Sequence, residues 1–217
     1  MSSKDFQDFV RTCFPKTFGE WHDGLDYGAL LRLTGDERLE AEKMILVNIP
    51  KSVHSNNSIE AAGYLRLQSA SELLKKEIKR TRIKRWLEAI FLFLLFLLRH
   101  EYYKERLVKI AWALYRIEKY PKSLHLIVSE IKNPSFPGHS PSFFYIYALQ
   151  ALTSFGDEPA AVEYLKSNIE RGKFIFESMC VLESIKAGNR LPFEDSTEIY
   201  LRVQNQLAYS SKTWKWH

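Results

Sequence analysis

Six histidines, at positions 22, 54, 100, 125, 139 and 217, are the side chains of this 217-residue chain best suited to acid–base work or metal ligation. A zinc site needs several of them, or cysteines, at short turn or helical spacings. No His-x-x-x-His pair occurs, and the two cysteines, Cys13 and Cys180, are far apart in sequence. His22 in WHDG and His139 in PGHS stand beside turn residues, but no partner base or nucleophile can be named for either. No glycine-rich phosphate loop is present. The sequence therefore assigns no catalytic residue, no cofactor and no metal, and a non-enzymatic protein is expected. Both cysteines read as reduced, small, buried hydrophobes, which fits a cytoplasmic protein. The amino-terminal MSSKDFQDFVRTCFPK carries acids and no apolar core, so it does not read as a secretory signal.

Charge gives the stronger lead. The formal net charge is +5, but residues 71–122 carry 14 basic and 6 acidic side chains, whereas 1–70 and 123–217 are each slightly acidic. The excess is concentrated in KKEIKRTRIKR, positions 75–85. Lys75, Lys79, Arg82 and Arg85 recur at helical spacing and form a stripe along one side of a helix, and Tyr102, Tyr103 and Trp112 are nearby aromatic anchors for a partner protein. Glu37 and Glu40 form an alternative acidic binding edge, although acids near a predicted helix start also serve the helix dipole. A nucleic-acid surface should draw cations from several successive elements rather than from one segment, so specific nucleic-acid binding is not expected.

The cationic run leads into AIFLFLLFLL, uncharged and apolar from Ala89 to Leu98. This is too short to span a bilayer, which takes about 20 apolar residues. On a single helix Trp86, Ile90, Phe93 and Leu97 share one face, with Leu87, Phe91, Leu94 and Leu98 beside them. A helix apolar all round is expected in the buried middle of a helical stack, with an interfacial or self-association surface as the alternative. No membrane span is expected, and the protein is expected to be a monomer or weak dimer.

Helices must position these groups. Few glycines and prolines leave little material for an all-β fold. GDERLEAEKMILVNI starts a helix with Asp36 as its cap. IEAAGYLRLQSASELLKKEI gives two helices meeting at Gln68 and Ser69. VKIAWALYRIEKYPKSLHLIVSEI gives another pair, with Pro121 in the first turn of its second helix. In SFFYIYALQALTSFGDEPAAVEYLKSNI, Gly156 ends a helix, Asp157 caps the next and Pro159 opens it. FIFESMCVLESIKAG and EDSTEIYLRVQNQLAYS add two more, and Trp214 and Trp216 in the final TWKWH are expected to cap the end of the stack or to anchor a partner. Leu65, Ile117 and Phe155 fall at equivalent places in the three paired units, at irregular separations near the period of two-helix solenoid repeats.

LTGDERLEAEKMIL, SIEAAGYLRLQSASELLKKEI and ALTSFGDEPAAVEYLKSNI resemble degenerate HEAT-type repeats of small bacterial repeat proteins. The resemblance implies an all-α fold, an α-solenoid of HEAT-like hairpins with about ten to twelve helices in one right-handed stack and a single domain over 1–217. Proteins of this style are similar to immunity proteins of contact-dependent or polymorphic toxin systems, which implies a cytoplasmic protein that neutralises a cognate toxin by direct binding. The alternative is a nucleic-acid-binding or base-processing helical-repeat protein that uses the basic belt at 75–85.

Overall fold

The structure, a computed structural model, describes residues 2–16, 24–51, 55–91, 93–132, 143–156, 158–189 and 197–213. It is all-helical, with eleven α-helices and two short 3-10 turns among the described residues. These are α1 (Lys4–Cys13), α2 (Tyr27–Arg32), α3 (Gly35–Asn48), α4 (Ser55–Leu65), α5 (Ser71–Phe91), α6 (Phe93–Glu118), α7 (Ser123–Lys132), α8 (Phe143–Ala151), α9 (Pro159–Glu170), α10 (Ile175–Lys186) and α11 (Thr197–Thr213). No described helix is long and apolar enough to cross a membrane. The helices group into two compact units, Met1–Leu126 and Ile127–His217.

The first unit is built around α4, which packs against α1, α2, α3 and α6. Its sequence explains that centrality, because Ser58, Ala61, Ala62 and Gly63 leave a thin helix that neighbours can approach closely. Gly63 is where α6 comes nearest: a Cβ there would stand 2.6 Å from the Trp112 ring and 3.0 Å from the Ala113 backbone. Trp112 is fully buried and meets the Tyr64 ring edge-on at 5.1 Å, and Tyr64 in turn stacks on Tyr27. α4 ends at Arg66, left-handed at φ 50°, with the Leu67 amide donating back to the Ala62 carbonyl at 3.0 Å. A short 3-10 turn, Gln68–Ala70, then starts α5 where the sequence predicted the break.

α5 and α6 run antiparallel. Ser71 donates to Glu118, Glu77 pairs with Arg106, and Tyr103 donates to Glu88, so partners move toward each other along the chain until the helices meet. The apolar run is therefore not the middle of one helix. α5 ends at Phe91 and α6 starts at Phe93, so the chain reverses inside the run. The side chains of 91 and 93–101 lie outside the described residues, but Trp86 and Ile90 are 62% and 53% exposed, contrary to the expected burial on all sides. The reason is geometric: near the tip of a two-helix hairpin each helix has one neighbour, which covers one face.

Other expectations also meet the coordinates. The residue capping α3 is Thr34, and Asp36 lies inside the first turn. Pro121 precedes the helix that begins at Ser123 instead of occupying its first turn. Gly156, at φ 60°, terminates the turn after α8, and Pro159 opens α9 as predicted. Arg66, Lys119 and Gly156 all have positive φ, so each of the positions Leu65, Ile117 and Phe155 is followed within two residues by a positive-φ residue, although Gly156 at ψ −130° is not in the left-handed helical conformation. Asp157, Trp214 and Trp216 lie outside the described residues. In the second unit α10 is central, packing against α8, α9 and α11, with Cys180, Ile199 and Val203 buried together and Phe176, Met179 and Leu207 around them.

Two measurements check this packing. Gly63→Ala forces a methyl against the Trp112 ring and the α6 backbone, and should destabilise the first unit by about 1–3 kcal/mol in urea denaturation. Arg106→Met removes the buried cation from Glu77, leaving it only the half-exposed Arg80, and should cost about 3 kcal/mol, while Glu77→Met with Arg106→Met should recover at least half of that loss. A double variant no more stable than Arg106→Met would show that the pair is not the reason.

Candidate partner-binding surface

Glu77, Thr81, Lys84 and Glu88 recur at four- and three-residue spacing, so they share one face of α5, the face turned toward α6. Against them α6 sets Tyr102, Tyr103 and Arg106, and the turn after α3 contributes Pro50 and Lys51. Between these elements lies a groove of about 660 Å³. Its floor is a buried ion pair: Arg106 Nη2 lies 2.7 Å from Glu77, both side chains only 6% exposed. The same guanidinium donates to the Ile49 carbonyl at 3.0 Å and to the Thr81 hydroxyl at 3.3 Å. Arg80 bridges outward, from Glu77 to the Pro50 carbonyl. Tyr103 donates to Glu88 at 2.5 Å. The floor is thus held by charge-assisted hydrogen bonds, while the rim carries Lys51, Arg80, Lys84 and Tyr102 in contact with solvent.

The structure separates the sequence-predicted residues into three groups. Lys79 and Arg82 are exposed on α5 and have no acidic partner among the described residues. Lys76 and Lys84 are in the same condition. Lys75 is already engaged, 2.8 Å from Glu72 and 2.9 Å from Glu118, and these carboxylates raise its pKa. Glu118 is held below the usual carboxylate range, first by the Ser71 hydroxyl and then by Lys75. Arg85 is half-buried with its own contacts. Among the aromatic anchors only Tyr102 reaches solvent, at 36% exposure, its ring edge-on to Tyr103. Tyr103 is buried, and Trp112 is fully buried beneath Gly63, so as placed neither presents an outer face to a partner.

The acidic edge is likewise divided. Glu40 is exposed. Glu37 accepts from both the amide and the hydroxyl of Ser3, each at 2.6 Å, and the same Ser3 oxygen caps α1 by accepting from Phe6. These hydrogen bonds lower the Glu37 pKa. The carboxylate therefore fastens the start of α1 to the first turn of α3.

Sequence reasoning missed the groove, including Lys51, Lys84 and the Glu77–Arg106 pair. The available signal was the polar seam at positions 77, 81, 84 and 88, whose helical spacing marks a continuous face. A second buried cation follows the same logic. Lys109 lies 3.0 Å from Glu60 and 2.7 Å from Glu105, and although burial opposes its charge, the two carboxylates prevail and raise its pKa.

Among the described residues no group of three or more histidine, cysteine or acidic side chains is arranged to hold a metal ion. Burial pushes the Cys13 thiol well above its ordinary pKa and the Cys180 thiol up to about 11, so both are poor nucleophiles near neutral pH. Comparison with family models, curated proteins and solved structures gives no match.

The Glu37 contact has a pH signature. A folded-state pKa below that of the unfolded chain stabilises the fold above the ordinary carboxylate range, and the contribution disappears as pH falls through the folded value. Glu37→Gln should therefore lower the melting temperature at pH 7, with the difference from the parent shrinking steadily below about pH 4.5. A pH-independent difference would assign the effect to packing.

Proposed function

We propose that this chain is a HEAT-like repeat protein of the immunity type, which binds a cognate toxin domain in the cytoplasm and neutralises it by direct contact. The observation that supports this reading best is the groove between α5 and α6, with a rigid paired floor, a cationic rim at Lys51, Arg80 and Lys84, and an exposed tyrosine at its edge. Lys79 and Arg82 extend the positive field along the same helix. An acidic loop of a partner protein matches this surface: the field steers encounter, and Tyr102 supplies the amphipathic side chain that interfaces favour as an anchor. Nucleic acid fits less well, because a phosphate chain draws cations from several successive elements, whereas most of the exposed cations here lie on α5 alone.

The product of the reading frame beside this gene provides the test. If it is the cognate toxin, its expression alone arrests growth and co-expression with this chain restores it. In binding kinetics with the purified toxin domain, Lys51→Glu with Lys84→Glu should slow association at least tenfold at low salt, and Tyr102→Ala should chiefly speed dissociation. Melting of these surface variants should stay within about 0.5 kcal/mol of the parent. A neighbour that is neither toxic nor bound would overturn the immunity reading. Unchanged kinetics in the folded variants would move the interface elsewhere, Glu40 being the first alternative, and sequence-selective DNA or RNA binding that survives 200 mM salt would favour the nucleic-acid reading.

A further inference from the structure

The outward face of α5 carries a second feature, which shares only Leu87 and Lys84 with the groove. Ile83, Trp86, Leu87 and Ile90 are 58%, 62%, 40% and 53% exposed. Their i, i+3, i+4 and i+7 spacing makes one continuous apolar stripe along the last two turns of the helix. Toward the amino-terminal end the same side of the helix carries Lys76, Lys79 and Arg82, with Lys84 beside them, and none of the four has an acidic partner among the described residues. In the other direction charge runs out: from Ala89 to Leu98 the sequence contains no charged or polar residue, and it is inside this stretch that the chain turns back into α6. The hairpin therefore grades along its axis from cationic, through an exposed tryptophan, to wholly apolar at the turn.

We propose that the tip of the α5–α6 hairpin inserts into the surface of an anionic lipid bilayer, with Lys79, Arg82 and Lys84 at the phosphate level and Ile83, Trp86 and Ile90 in the headgroup and upper acyl region. A bilayer has the same gradient, from anionic headgroups through an interface that favours tryptophan to hydrocarbon. The dimensions agree, since Lys84 and Phe91 are separated by about 10 Å of helix rise and interfacial helices bury their apolar groups about 5–10 Å deep. A protein partner would more naturally meet an apolar centre ringed by polar groups, whereas here the charges lie to one side only. A symmetric contact of this stripe with the same stripe of a second copy is disfavoured by charge: beyond Lys76 the acids of α5 are Glu77 and Glu88, both lining the groove, so each copy would bring cations against the other's cations. This membrane contact goes beyond the proposed toxin binding and does not depend on it.

Vesicle binding with no partner protein present is the test. The full chain should float with vesicles of phosphatidylcholine containing 30% phosphatidylserine about a hundredfold more tightly than with pure phosphatidylcholine, as expected if three cations each gain from the surface potential. Binding should weaken at least tenfold in 0.5 M salt. Ile83→Ser, Trp86→Ser and Ile90→Ser together should abolish it while leaving the circular dichroism melt unchanged, because all three side chains are exposed in the parent. Brominated lipids should quench tryptophan emission in the parent and much less in Trp86→Phe. Absence of vesicle binding, binding undiminished in the triple serine variant, or a concentration-dependent dimer that the triple variant abolishes without any lipid binding would each overturn the proposal.

Discussion

The Glu77–Arg106 pair is the constraint on which the surface of the first unit depends. Two groups buried to this degree hold together only in one geometry, because separating them leaves the guanidinium without its carboxylate and Glu77 with only the peripheral Arg80. Here the guanidinium also serves the Ile49 carbonyl and the Thr81 hydroxyl, so a single side chain fixes α5, α6 and the end of α3 at once. Apolar packing alone would allow these helices to slide by a fraction of a turn. The paired charges set their register.

From that register the division of α5 into two unlike faces follows. The inward face spends its polar groups on partners and leaves a groove whose floor is neutralised and whose rim is cationic. The outward face is exposed near the hairpin tip, where Lys79, Arg82, Ile83, Trp86 and Ile90 all meet solvent. α6 behaves differently along its length for the same reason. Its carboxy-terminal half, with Leu107, Ile110, Ala111, Trp112 and Leu114 fully buried, is sandwiched between α4 and α5, and Gly63 and its small neighbours on α4 make that close approach feasible.

Much of this helix layout was legible because stop signals are local. Gly156 and Pro159 act through backbone geometry that does not depend on distant residues, and the breaks they predict are where the structure has them. The break at Gln68 was legible from composition as well. What could not be read was which polar residues face inward. Lys75, Lys79 and Arg82 look alike in sequence, yet Lys75 is claimed by Glu118, 43 positions away, and its neighbours are not. Trp112 and Tyr103 were attractive as anchors for the same chemical reasons that make them good core residues, and only the approach of α4 and α5 decides between the two. The apolar run misled in the opposite direction. Its hydrophobicity indicates burial in something, but a reversal within it leaves no sequence signal when the run holds no glycine or proline.

The exposed stripe on the last two turns of α5 is itself informative. Ile83, Trp86, Leu87 and Ile90 present contiguous apolar surface to water, and such a surface calls for a compensating environment. The cations do not provide one, since Lys76, Lys79, Arg82 and Lys84 lie further down α5 and have no acidic partner among the described residues. Charge and apolar surface are thus left uncompensated on the same end of the same hairpin, in an order that an anionic bilayer surface would satisfy together. The groove lies on the other face of α5, bounded by the buried pair, so occupying one surface leaves the residues of the other in place, and only Leu87 and Lys84 are common to both.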